Sequence, residues 1–148
     1  MRIYFDACSL NRLTDDQSQL RIRDEARAIE LALGLVAIGR AEFLASTALR
    51  LELSRNPDQG RCLDSLKLLS FAPTLIRLNP AILNRARILE QAGYGAFDAV
   101  HLACAESAAA DILLTTDDRF CKLAARRIGD PAIAVENPVD WLRKAGLS

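Results

Sequence analysis

Apolar positions change their period along the chain in a regular order. Arg2-Ile3-Tyr4-Phe5 is β-branched and aromatic and stops at Asp6, the pattern of a short strand. Ile22, Ala26, Ile29, Leu33 and Val36 then recur at steps of four and three, which predicts a long amphipathic helix. Gly39 supplies its stop. An apolar strand around Phe43-Leu44-Ala45 leads into a predicted helix over Thr47 to Arg55 that carries Leu49, Glu52 and Leu53.

Asn56-Pro57, Asn79-Pro80 and Asn137-Pro138 each predict a helix start, with Asn capping the free amides and Pro in the first helical position. Leu75-Ile76-Arg77-Leu78 and Ala132-Ile133-Ala134-Val135 precede the second and third pairs and are expected to be short buried strands. Between them, the small apolar run Ala99 to Ala110 predicts a helix buried on most sides. Asp111 to Thr116 predicts a central strand, and Asp117 to Ile128 a further helix. Strands separated by helices require crossovers, so the expected fold is a three-layer α/β/α sandwich with a central, mainly parallel sheet. No linker or repeat divides the chain, and residues 1–148 are expected to form a single domain.

Composition narrows the function. With 51% hydrophobic residues over 148 positions, the chain can bury a core without staples, which excludes a disordered chain or a disulfide mini-protein. Nineteen Lys+Arg against nineteen Asp+Glu give a net charge of zero, so nucleic acid would have to be met by a local patch. Cys8, Cys62, Cys104 and Cys121 form no C-x-x-C pair, and free thiols in a reducing cytoplasm are expected. The apolar residues before Asp6 are too few for a leader, so the chain is read as beginning at Met1, and Leu31 to Ile38 is too short for a membrane span.

In an open parallel sheet, ligands bind beyond the carboxyl ends of the strands, so the acids are best read by where each strand stops. Asp6 follows the first strand and Asp117 the strand ending Thr115-Thr116. Glu52 lies on the helix after the strand ending near Ser46, and Asp98 follows the Gly93-Tyr94-Gly95 turn at the start of the buried helix. Together they would repel one another, raising pKa values or demanding a cation. Hard oxygen ligands suit Mg2+ or Mn2+, whose chemistry here would be phosphodiester hydrolysis.

Each acid also has a plainer reading: Asp6 and Asp117 as helix caps, Glu52 as a solvated helix residue, Asp98 as a first-turn residue favoured by the helix dipole. His101 is read as a satisfied core histidine without a catalytic role, and Asp118 as a surface neighbour of Asp117. Thr115 can orient a carboxylate, and Arg12, Arg50 and Arg55 can hold phosphates or simply be solvated.

The segments Ile3-Tyr4-Phe5-Asp6, Ser46 to Glu52, Phe97-Asp98-Ala99-Val100-His101-Leu102-Ala103 and Leu113 to Phe120 together resemble the PIN domain, and the size resembles the VapC-type toxins of bacterial type II toxin–antitoxin pairs. The resemblance implies a metal-dependent endoribonuclease whose acidic cluster, carried onto Asp6, Glu52, Asp98 and Asp117, binds one or two Mg2+ or Mn2+ ions, with Thr115 as a supporting polar residue. It also implies an RNA substrate, a homodimer and a cognate antitoxin protein that covers the cleft. Many relatives carry a small polar residue two positions after the first Asp, where this chain has Cys8. A phosphatase of the haloacid-dehalogenase type would want a second Asp at that position, and a receiver domain would want a Lys where Glu136-Asn137-Pro138 stands. The competing class is a PIN-like module that binds RNA or protein without cutting.

Overall fold

A computed structural model describes residues 1–146. Its centre is a five-stranded sheet in the order β3-β2-β1-β4-β5. The strands are β1 (Arg2–Phe5), β2 (Glu42–Ser46), β3 (Leu75–Ile76), β4 (Ile112–Leu114) and β5 (Ala134–Glu136), and every neighbouring pair is parallel. Helices α1 (Ala7–Asn11), α2 (Leu20–Ala37), α3 (Thr47–Ser54), α4 (Gln59–Leu68), α5 (Pro80–Ala92), α6 (Ala96–Ser107), α7 (Asp118–Ala125) and α8 (Pro138–Lys144) supply the crossovers. The fold is the expected α/β/α sandwich.

Strand alternation divides the core between the two faces. Ile3, Phe5, Phe43, Ala45, Ile112 and Leu114 point into one core, where α2 adds Ile29 and Leu33 and α8 adds Trp141. Tyr4, Leu44, Leu113 and Val135 point into the other, against Leu89 of α5, Leu102 of α6 and Phe120 of α7. Phe5 and Phe43 stack across β1 and β2 with centroids 4.9 Å apart, a contact of the kind that adds about 0.5–1.5 kcal/mol to simple burial.

The predicted elements are present, with shorter strands: β4 covers three residues and β3 two, and Leu75 and Ile76 are only half-buried at the sheet edge. Asn79 and Asn137 cap α5 and α8 as expected, accepting from the amides of Ile82 and Val139. Asn56-Pro57 does not open a helix. Its Oδ1 accepts from the Asp58 amide at 3.0 Å and closes a local turn instead. Asp58 then caps α4 by accepting from the Arg61 amide at 3.1 Å.

One buried acid ties distant segments together. Glu25 on α2 is 1% exposed, and it accepts from Arg12 Nε at 2.9 Å, Asn137 Nδ2 at 2.6 Å and Arg21 Nε at 3.4 Å. Removing it leaves Arg12 Nε and Asn137 Nδ2 without their acceptor, a change that costs several kcal/mol at fully buried sites and less where, as at Arg12, the partner is partly exposed and keeps Asp15. Glu25→Ala is therefore expected to lower unfolding stability by about 2–3 kcal/mol in urea titration; a loss under about 0.5 kcal/mol would show that Glu25 does not hold these segments together.

Candidate active site

The strand order reverses between β1 and β4, with β2 and β3 on one side and β5 on the other. At such a switch point the loops after adjacent strands part and leave a crevice at the carboxyl edge of the sheet. Asp6 stands directly after β1, and Thr115, Thr116 and Asp117 directly after β4. A cleft of about 340 Å³ opens there, lined by Cys8, Asn11, Arg12, Asp15, Thr116 and Asp117. A larger hollow of about 550 Å³ near the starts of α2, α7 and α8 is lined largely by exposed charges such as Arg21, Asp24, Asp118 and Lys122, and it holds none of the strand-end acids.

Local chain geometry fixes the acids. Asp6 is the N-cap of α1, its Oδ1 accepting from the Ser9 amide at 2.9 Å. Asp117 is the N-cap of α7 and accepts from the amides of Arg119 and Phe120 at 2.9 and 3.1 Å. Its own amide donates to Thr115 Oγ1 at 3.1 Å. The cap reading of both residues is thus correct, and it leaves the second carboxylate oxygen of each outside the capping bonds. Asp98 lies in the first turn of α6, folded back toward Gly95, where a Cβ would stand 3.5 Å from Asp98 Oδ2.

Glu52 is no solvated helix residue. It faces α6, where His101 Nε2 lies 2.8 Å from Glu52 Oε1. His101 Nδ1 lies 2.7 Å from Tyr4 Oη, and Tyr4 Oη lies 2.6 Å from Ser46 Oγ. With Glu52 as a carboxylate, which only accepts, the donors order themselves. His101 donates from Nε2 and accepts from Tyr4 at Nδ1. Ser46 donates to Tyr4 while accepting from the Leu49 amide at 3.0 Å. Tyr4, Ser46 and His101 are each fully buried, and burial drives the Tyr4 hydroxyl pKa well above its usual value, so it stays a neutral donor. The core-histidine reading of His101 is right as far as it goes. Its grip on Glu52 was missed, although a histidine one turn after Asp98 and a tyrosine inside a buried strand both need partners.

Electrostatics shows that the four acids share one field. The Asp98 carboxyl is pushed up to about 7, first by burial and then by the charges of Asp6 and Asp117. Asp6 is pushed up to about 6, again first by burial, while the Thr115 hydroxyl and the Ser9 amide pull it down. The Cys8 thiol is raised by partial desolvation and then by Asp6, Glu52, Asp98 and Asp117 together. Thr115 is fully buried; its Oγ1 accepts from the Asp117 amide and its hydroxyl lowers the Asp6 carboxyl.

The arginines divide. Arg12 is spent on Asp15 and Glu25. Arg50 lines a separate groove with Thr47, Thr74 and Arg77. Arg55 lies over the Phe97 ring, 5.3 Å from its centroid. Asp118 is exposed and paired with Arg21, the surface neighbour it was expected to be. The position two residues after Asp6 is an exposed thiol, Cys8, and the contact to Asp6 comes from the next residue, Ser9.

The family model of the PIN domain matches residues 3–126, a span that includes the strand-end acids. The chain belongs to the PIN domain family. PIN domains are generally nucleases that use divalent metal ions. No individual curated protein matches the chain. The matched segment takes in the acids at Asp6, Glu52, Asp98 and Asp117 and stops just after α7; beyond it, β5 and α8 complete the sheet edge and one core. Among the described residues, no helix is long and apolar enough to cross a membrane.

The donor set of this PIN domain fits a hard divalent cation: every candidate ligand offers carboxylate oxygen, and two of the carboxyls are raised by burial and mutual repulsion that a cation would relieve. Among the described residues no three His, Cys, Asp or Glu side chains are drawn into a ready cage. Mg2+ commonly takes only one or two carboxylates and completes its shell with water and phosphate oxygens.

The raised carboxyls make stability depend on pH. Asp6 and Asp98 hold protons in the folded chain over a range where the unfolded chain, with carboxyls near 3.9, has released them. Their contribution to stability is therefore fully present below about pH 4 and is lost as pH rises through about 6 and 7. In metal-free buffer, Asp98→Asn is expected to melt higher than wild type at pH 8, with the gap narrowing steadily as pH falls toward 4; a gap that does not change between pH 8 and pH 4 would show that Asp98 carries no such strain.

Proposed function

We propose that the chain is a metal-dependent endoribonuclease that hydrolyses RNA phosphodiester bonds, and that it acts as the toxin of a type II toxin–antitoxin pair. The observation that carries the nuclease reading is that Asp6 and Asp117 follow the two strands flanking the sheet switch point, while Asp6, Asp117 and Glu52 all raise the Asp98 carboxyl. Asp6, Asp98 and Asp117 would hold Mg2+ or Mn2+, with Glu52 as a further ligand or as the base that orients the attacking water. When bound, the ion would supply positive charge against the scissile phosphate and lower the pKa of a water.

The chain's own part is positioning. The Ser9 amide and the α7 amides fix the rotamers of Asp6 and Asp117. His101, itself held by Tyr4, fixes Glu52 Oε1 and leaves Oε2 free for a water or an ion. Holding such groups in place before the substrate arrives is what allows a static site to stabilise a transition state.

The toxin reading draws on the likeness of a short PIN chain to the VapC-type toxins. Leu51, Leu63 and Phe71 are exposed apolar side chains, of the kind that an antitoxin or a second copy would cover. Free thiols at Cys8, Cys62, Cys104 and Cys121 suit a cytoplasmic setting. The competing reading, a PIN domain that binds RNA without cutting it, draws on the lack of a ready metal cage among the described residues.

Purified protein is expected to cleave RNA with Mn2+ or Mg2+ and not in EDTA, leaving 5′-phosphate and 3′-hydroxyl ends. Asp98→Asn should cut at least about a hundredfold more slowly while keeping a cooperative melt. Metal-dependent cleavage retained in that variant would remove Asp98 from the site. A wild type that neither cleaves nor gains melting temperature with Mn2+ would favour the binding module.

A further inference from the structure

The charges of Asp6, Glu52, Asp98 and Asp117 act together on Cys8 at the carboxyl edge of the sheet and repel a polyanion, and a chain of zero net charge has no overall field to overcome them. The cations that matter are therefore those beside the site that no carboxylate has already claimed. Arg12, Arg21 and Arg61 are paired with Asp15, Glu25 or Asp118. Arg55 and Arg119 are both exposed, and among the described residues neither has a carboxylate within ion-pair distance.

Both are nonetheless anchored, and on the two ends of the same short segment. The Arg55 guanidinium lies over the ring of Phe97, which immediately precedes Asp98 and stacks on His101 at 6.0 Å. Arg119, whose amide donates to Asp117, sends Nη2 to the Gly93 carbonyl at 2.8 Å. Gly93 and Phe97 are four residues apart, a span of at most about 14 Å, comparable with the length of about four stacked nucleotides. Each anchor leaves most of the guanidinium's N–H donors free, and an already positioned side chain loses less entropy on binding than a free one.

We propose that Arg55 and Arg119 form a two-sided clamp for single-stranded RNA, each seating a phosphate that flanks the one held at the acids. The proposal rests on the nuclease reading for what lies between the two arginines, and on the geometry above for the arginines themselves. The strand crosses the start of α6, where Asp98 stands, and a planar guanidinium on either side offers paired donors to phosphate oxygens. Arg50, two positions before Glu52 on α3, is about 200° around the helix from it and takes no part.

The test measures binding of a fluorescent single-stranded RNA in metal-free buffer, by anisotropy, across a range of salt. Each phosphate contact in single-stranded binding contributes about 0.7 to the slope of log K against log salt. The double variant R55A/R119A is expected to bind about tenfold more weakly at moderate salt and to lower the slope by about 1.4, whereas R50A leaves the slope unchanged. R55K/R119K, which keeps charge and loses the fork, should keep the slope and recover only part of the affinity. A slope unchanged in R55A/R119A, an equal fall in R50A, or a wild type with no salt-dependent RNA binding would each overturn the clamp. Cleavage assayed in parallel separates the two ideas. Arginine-dependent binding with no cutting under any divalent cation defeats the nuclease reading and keeps the clamp, while cutting with an unchanged KM in R55A/R119A defeats the clamp alone.

Discussion

The rest of the site follows from the cost of bringing acids together at a sheet edge. An isolated carboxylate taken out of water is strongly disfavoured, and Asp6 is 1% exposed. The fold meets that cost locally, by giving each acid donors of its own: the Ser9 amide for Asp6, the start of α7 for Asp117 and the His101 ring for Glu52. Asp98 stands furthest from such help. Among the described residues, no side-chain or amide donor serves it beyond its place in the first turn of α6, and its carboxyl is pushed up further than that of Asp6. The least compensated acid in a cluster is the one whose charge state a cation or a phosphate changes most.

At Asp6 and Asp117 the cap itself orients the acid. A cap uses one carboxylate oxygen on backbone amides and so fixes the rotamer, which aims the other oxygen without a second layer of side chains. This explains how helices as short as α1 and α7 are placed directly after β1 and β4. A strand that ends in a capped helix carries its acid at a defined point beyond the sheet edge. The switch in strand order then sets two such points side by side.

Much of this was legible along the chain, because it depends on local signals. Strand-end acids, the period of α2 and the caps Asn79 and Asn137 all act within a few residues of themselves. Asn56-Pro57 carried the same local signal and behaved differently because Asp58, two residues on, is a competing cap that α4 uses instead. The parts that could not be read involve partners far apart in sequence. His101 meets Glu52 from 49 positions away and Tyr4 from 97; Glu25 meets Asn137 from 112. A histidine in an apolar helix announces that it needs partners, but only the packing of α6 across β1 and α3 names them.

Net neutrality is the last consequence of that packing. Nineteen cationic side chains equal nineteen acidic ones, yet the balance is not uniform, because many arginines near the cleft are consumed in holding the first core's loops and helix starts together, as Arg12 and Arg21 are on Glu25. The acids at the switch point are held by amides and a histidine instead of by arginines, so their negative field is not cancelled from within. The clamp proposed above puts the positive partners of a substrate phosphate near the start of α6, where guanidinium groups are anchored to a ring and to a carbonyl and not to a carboxylate. Sequence composition averages these two environments to zero; their separation in space leaves acids held by amides and a histidine in one place and arginines free of carboxylates in another.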